Sequence, residues 1–321
     1  MLNELRKYLN ENKNLINIFL VYFFLTFAIG YIDFDRRVKS FEQATENLRK
    51  VAEGGAYLPM ARRILIPYTL YFMHKTFRIP LAHIYAFFRF LFFFLAFCLF
   101  HIYLKKWFDD KLAMIGTLSV IASLPLTLTN WYSIPTDIPE LITFILGAMW
   151  IRDNRYKLLF LLIPLATLNK ETTIALVLIY FLYGIGRERP LVLIKRTAIY
   201  SLLWAIPYIS LIYIFGYKYG DYSKFCTLQH NWTGLAQMFK TPNPYNHYYF
   251  LIYLCGFYWI LAFRNFRRKD IFLKRSMPVV ILFFLYVFFW QAAINEVRVF
   301  ISFYVFVIPL GLFSLFKEKK T

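Results

Sequence analysis

Ten apolar stretches separated by short polar turns recur along this chain, more apolar surface than a water-soluble fold of this length can hide. They fall at 15–32, 81–104, 112–129, 136–151, 158–168, 172–186, 190–215, 247–263, 276–293 and 299–316. One bilayer crossing takes roughly 20 mainly apolar residues, so each stretch is of the right order for a span. Of the 321 residues, 60% are hydrophobic, whereas a soluble domain is about half apolar and about a quarter charged. The expected fold is all-α: a polytopic membrane protein of about ten transmembrane helices, with residues 1–321 forming a single transmembrane module.

The net charge of +19 raises the question of a nucleic-acid partner. The basic residues sit between the apolar stretches instead of forming one stripe with exposed aromatics, which argues against nucleic acid and for anchoring at a cytoplasmic face. Cys98, Cys226 and Cys255 lie far apart, and two of them fall inside apolar stretches, so neither a disulfide framework nor a zinc site is indicated. The segment from Leu15 to Tyr31 is longer than a signal-peptide core and has no small-residue cleavage pattern before Asp33, which reads as a retained first span.

The segment from Arg63 to Arg78 decides the topology. It is apolar, but it is short and carries Pro67, His74 and Lys75. Lys and Arg accumulate in cytoplasmic loops. If 63–78 does not cross, the cytoplasmic connections hold 22 Lys and Arg against 14 outside; if it crosses, the cytoplasm keeps 10 against 26. The first arrangement is expected, with ten spans and both termini cytoplasmic. Residues 33–80 then form one outer loop, and 216–246 a second.

The long loop reads as two interfacial helices. Phe41, Ala44, Leu48 and Val51 recur at helical spacing, with Ser40 and Gln43 as a capping box and Gly54 and Gly55 as the stop. Opposite that stripe lie Glu42, Glu46, Arg49 and Lys50, a pattern suited to a helix lying on a membrane. The second helix, about Ile66 to Phe77, is more apolar and is bounded by Arg62, Arg63, Lys75 and Arg78.

The outer connections collect acidic and amide residues. Asp33 and Asp35 follow the first span, Asp137 and Glu140 open the fourth, Asn169, Lys170 and Glu171 form the turn between the fifth and sixth, and Asn295, Glu296 and Arg298 link the last two. All are expected at one level near the outer surface. Arg89 lies roughly 12 Å into the second span at 1.5 Å per residue and needs an anionic partner or a wet cavity. Ionisable groups at such positions mark functional sites more often than charges in open loops do. Asp137 and Glu171 also have a simple structural reading as caps of helix N-termini.

This order of features resembles the GT-C superfamily of membrane glycosyltransferases, especially the branch of protein mannosyltransferases and lipid A aminoarabinose transferases. The anchors are Asp33 and Asp35 after the first span, RILIPY from Arg63 to Tyr68, AFFRF around Arg89, Lys105 and Lys106, PTDIPEL around Asp137, and the basic turn from Arg152 to Lys157. The resemblance covers roughly residues 15–185 and is one of architecture with single-residue anchors. The chain departs from the family pattern in the spacing of its acidic pair, in LNKETT from Leu168 to Thr173, and in having no soluble C-terminal domain, so the acceptor would be recognised by the outer loops.

The resemblance implies transfer of a sugar from a polyprenyl-phosphate donor to an outer-face acceptor, whether glycan, lipid or protein. The bacterial cytoplasmic membrane is the expected location. Asp33, Asp35, Asp137 and Glu171 are the candidate catalytic carboxylates, with Asp33 or Asp35 as general base. Arg62, Arg63, Arg89, Lys170, Glu296 and Arg298 are the candidate substrate-binding residues, the cations meeting the charge that develops on the departing phosphate. A divalent cation held by Asp33, Asp35 and Asp137 would be hard-oxygen chemistry. Two other classes fit a polytopic chain: a transporter, flippase or polymerase of lipid-linked glycans, and a non-catalytic membrane assembly subunit.

Overall fold

The structure is a computed structural model, and it describes residues 13–35, 38–56, 58–127, 135–216, 232, 233, 236, 256–286, 289 and 297–316. Among them there is no strand. The helices are α1 (Lys13–Asp35), α2 (Val38–Ala52), α3 (Leu65–Phe77), α4 (Leu81–Leu104), α5 (Asp110–Thr127), α6 (Asp137–Arg152), α7 (Leu159–Asn169), α8 (Ile174–Gly184), α9 (Pro190–Phe215), α10 (Gly256–Phe263), α11 (Ile271–Tyr286) and α12 (Tyr304–Leu315). A 3₁₀ stretch, Val297–Phe303, runs into α12. The predicted loop 216–246 lies almost wholly outside the described residues.

Each of the ten predicted segments contains a described helix. Four stretches are long and apolar enough to cross a membrane by length and composition: Lys13–Tyr31, Leu81–Leu104, Pro190–Phe215 and Arg298–Leu315. That is the hallmark of a membrane protein. The surface agrees with it. Leu191, Leu202, Ile206, Ile209 and Tyr213 of α9 all stand exposed, an apolar face that water would penalise and lipid would not.

The bundle is built around α12. Every residue from Tyr304 to Leu312 is buried, as expected of a helix that is apolar all round. It packs against α5, α6, α10 and α11, while α6 also meets α4, α7 and α8. Small residues permit the closest approaches. A Cβ added at Gly147 of α6 would come within 2.6 Å of a Leu176 methyl on α8.

Alternate helix ends meet at two opposite ends of the bundle. At one end Lys106 after α4 pairs with Asp153 after α6 at 2.6 Å. There too Arg275 of α11 donates to the Tyr183 carbonyl at the end of α8 at 2.8 Å. The ammonium of Lys269, itself buried, donates to the carbonyls of Leu261, Ala262 and Leu310 at 2.6, 2.8 and 2.7 Å, closing the C-terminal ends of α10 and α12. The other end holds the candidate site.

The stripe of α2 is used differently from the expectation of a helix lying on lipid. Ala44 and Leu48 are buried in a small second core with Ile66, Leu70, Leu81, Ile84 and Tyr85. The helix thus rests on α3 and α4, with Arg49 and Lys50 turned outward beside Glu46. Its described part begins at Val38 and includes Ser40. The predicted stop is present: Gly54 at φ 80° donates to Val51, and Gly55 to Lys50, the paired bonds of a left-handed helix end. In α3, by contrast, Phe72 and Phe77 remain exposed and form an outward apolar edge.

Candidate functional site

The site starts from the first turn of α6. Asp137 and Glu140 are three residues apart, so a helix places their carboxylates on one face, and acidic groups are favoured at a helix N-terminus. Between α7 and α8 the chain breaks at Lys170, whose extended backbone (φ −162°, ψ 134°) ends one helix before the 3₁₀ turn Glu171–Thr173 begins. That break aims the Lys170 ammonium at α6.

Lys170 Nζ lies 3.1 Å from Asp137 Oδ1 and 2.5 Å from Glu140 Oε2. The Thr172 hydroxyl donates to the other oxygen of Glu140. Arg298, just ahead of α12, reaches Asp137 Oδ2 at 3.4 Å. Asn169 Nδ2 donates to the Thr136 carbonyl at 3.0 Å, fastening the α7–α8 turn to the start of α6. Asp137, Glu140 and Lys170 are almost completely buried, where an unpaired charge is costly and a matched, hydrogen-bonded set is tolerated.

A second pair borders this one. Arg63 presents its fork to Glu171, with 3.0 Å from Nη2 to Oε1 and 3.4 Å from Nε to Oε2, the bidentate geometry that guanidinium groups favour. Trp204 of α9 donates to the Glu171 carbonyl at 2.9 Å.

The site's position along the helices follows from their lengths. The apolar segments Tyr156–Asn169 and Glu171–Gly184 are each shorter than a full crossing, about 20 Å of helix against the roughly 30 Å hydrocarbon thickness. Trp204 lies about 21 Å along α9 from Pro190, with more of that helix still beyond it. The cluster is therefore sunk below the end of the longest helices.

Arg89 is buried and donates to the Tyr85 hydroxyl at 3.0 Å, with its guanidinium 5.3 Å from the Phe93 ring centre. It lines a small cleft with Ile66 and Leu70 of α3, Tyr85, Phe88 and Phe92 of α4, and Pro135, Ile138 and Pro139. A neighbouring cleft beneath α2 is lined by Asn47, Leu48, Val51, Met60, Arg63, Pro67, Pro135 and Thr136. Pro135 borders both. Arg89 lines the first cleft, and Arg63 and Thr136 of the charge cluster line the second.

The structure thus brings Asp137, Glu171, Arg63, Lys170 and Arg298 together. Arg62 is buried at the end of a 3₁₀ turn next to Arg63. Asp33 and Asp35 fall in the last turn of α1, with side chains outside the described residues, and Glu296 lies outside them altogether. Glu140 and Thr172 are full members of the cluster that the candidate set missed; the three-residue spacing of Asp137 and Glu140 was the signal that could have found the first. No protein family, curated protein or solved structure matches this chain.

Proposed function

We propose that this chain is a glycosyltransferase of the bacterial cytoplasmic membrane, moving a sugar from a polyprenyl-phosphate donor to an acceptor on the outer face. In this reading it has ten spans, both termini are cytoplasmic, and its architecture is of the GT-C type. The observation that carries the reading is the buried, charge-matched cluster at the end of the bundle opposite the basic turns, beside an apolar cleft that holds Arg89. A lipid phosphate would need this small cleft to widen, its charge then meeting the guanidinium and its tail the aromatic side chains of α4.

All six carboxylate oxygens of Asp137, Glu140 and Glu171 already accept from side-chain donors. These groups serve as scaffold, and the general base is Asp33 or Asp35. It takes the proton of the acceptor hydroxyl as that oxygen attacks the sugar's anomeric carbon, while the bond to the lipid phosphate breaks and the phosphate leaves as an anion. The test is incubation of purified protein with a panel of polyprenyl-phosphate sugars and an acceptor, scoring free polyprenyl phosphate. Release above that of an Asp33→Asn/Asp35→Asn double variant is expected.

A second reading is a transporter of the same lipid-linked sugars. The short α7 and α8, which meet at a buried lysine below the ends of the longer helices, favour it, because interrupted helices commonly frame transporter sites. Movement of a labelled lipid-linked sugar across proteoliposomes without release of lipid phosphate would select this reading.

A further inference from the structure

A divalent cation on Asp33, Asp35 and Asp137 is the cofactor their carboxylate chemistry brings into question, and the residues around Asp137 do not fit one. A hard cation such as Mg²⁺ or Mn²⁺ needs several oxygen ligands at about 2.0–2.6 Å and open lone pairs on its carboxylates. Both oxygens of Asp137 already face a protein cation: Oδ1 the Lys170 ammonium at 3.1 Å and Oδ2 Arg298 at 3.4 Å. Glu140 is equally committed, to Lys170 at 2.5 Å and to the Thr172 hydroxyl. Among the described residues, no group of three or more His, Cys, Asp or Glu is placed to hold a metal.

We infer that the ammonium of Lys170 is the resident cation of this site, occupying the position between Asp137 and Glu140 that a metal would otherwise take. Three features carry the inference. The lysine is nearly fully buried with both carboxylates, so solvent does not compete for the charge. Its backbone is extended at the one residue separating α7 from the following turn, which delivers the side chain to α6. With Arg298 on Asp137 and Arg63 on Glu171, the single charge of the ammonium matches three carboxylates with three cations, a paired set that burial tolerates. Lys170 therefore performs the work of a structural metal, clamping the first turn of α6 to the α7–α8 turn without depending on metal supply. The inference concerns the cation of the cluster and does not depend on which reaction the protein performs.

The test uses the full-length chain in detergent and Mn²⁺ as the probe, with free Mn²⁺ followed by electron paramagnetic resonance and folding by thermal unfolding. The wild-type protein should bind no stoichiometric Mn²⁺ that depends on Asp137, and chelator should leave its midpoint unchanged. Lys170→Met removes the ammonium and keeps the length of the side chain, leaving two buried carboxylates without their shared cation. This variant should take up one Mn²⁺ per chain and regain at least half of its lost thermal midpoint on doing so, and both effects should vanish in Lys170→Met/Asp137→Asn. One Mn²⁺ bound per wild-type chain and lost in Asp137→Asn overturns the inference, as does a folded Lys170→Met protein indifferent to Mn²⁺. If Lys170→Met does not fold, the wild-type titration against Asp137→Asn still decides. No readout involves sugar transfer, so failure here is distinct from failure of the proposed activity.

Discussion

Glu171 and Arg63 show how a single pair can join two parts of this molecule, since Arg63 belongs to the segment around α2 and α3 while Glu171 belongs to the α7–α8 turn. Replacing Glu171 by Gln keeps the shape and removes the charge, at an expected cost of about 1.5–3 kcal/mol for a hydrogen-bonded charged pair. Thermal unfolding of wild type and Glu171→Gln in detergent checks this, and equal midpoints would contradict the pairing. At this scale the sequence was partly legible. Asp137 and Lys170 announced themselves as charges beside apolar stretches, whereas their contact links positions far apart in the chain, which local spacing does not encode.

At the scale of elements, boundaries were readable where the chain itself forces them. Helices α4 and α9 begin and end as expected, each with a proline at its start, Pro80 just before α4 and Pro190 opening α9, where the missing N–H costs nothing. What covers an element was less readable. The periodicity of α2 identified Ala44, Leu48 and Val51 as its apolar face, but the same face serves lipid or protein equally well, and the structure gives it to α3 and α4. The tight crossing of α6 and α8 was likewise invisible, because a glycine in an apolar stretch does not name its neighbour. Gly147→Val should destabilise by about 1–3 kcal/mol, since its Cβ alone already crowds Leu176 and the two added methyls must displace it. Gly147→Val combined with Leu176→Ala should recover part of that loss. Thermal unfolding of both variants in detergent checks it, and no recovery in the double variant would place the strain elsewhere.

For the whole molecule, composition was enough for an all-helical membrane protein, but the number of crossings depends on length, and most of the predicted spans hold helices shorter than about 20 residues. Helix ends alternate between two poles, with Lys106 meeting Asp153 at one and Lys170 meeting Asp137 at the other. This makes the orientation testable: Arg49→Cys should react with an impermeant thiol reagent in intact cells and Arg155→Cys only after lysis, and the reverse pattern would invert the protein. Orientation in turn bears on the proposed activity, because in that reading Asp33 and Asp35, which close α1, face the acceptor. If one of them is the general base, Asp33→Asn or Asp35→Asn keeps the shape and removes the proton acceptor, lowering the release of lipid phosphate about a hundredfold to ten-thousandfold while donor binding survives. Arg89→Ala should behave differently. It leaves the base intact but loosens the hold on the phosphate, weakening donor affinity, and rate as well if the contact tightens in the transition state. Single-turnover assays with a radiolabelled donor, paired with donor binding by each variant, separate the two. Normal turnover by both single variants and by the double variant would remove the carboxylates from the mechanism and leave the transporter reading as the one the buried cluster still supports.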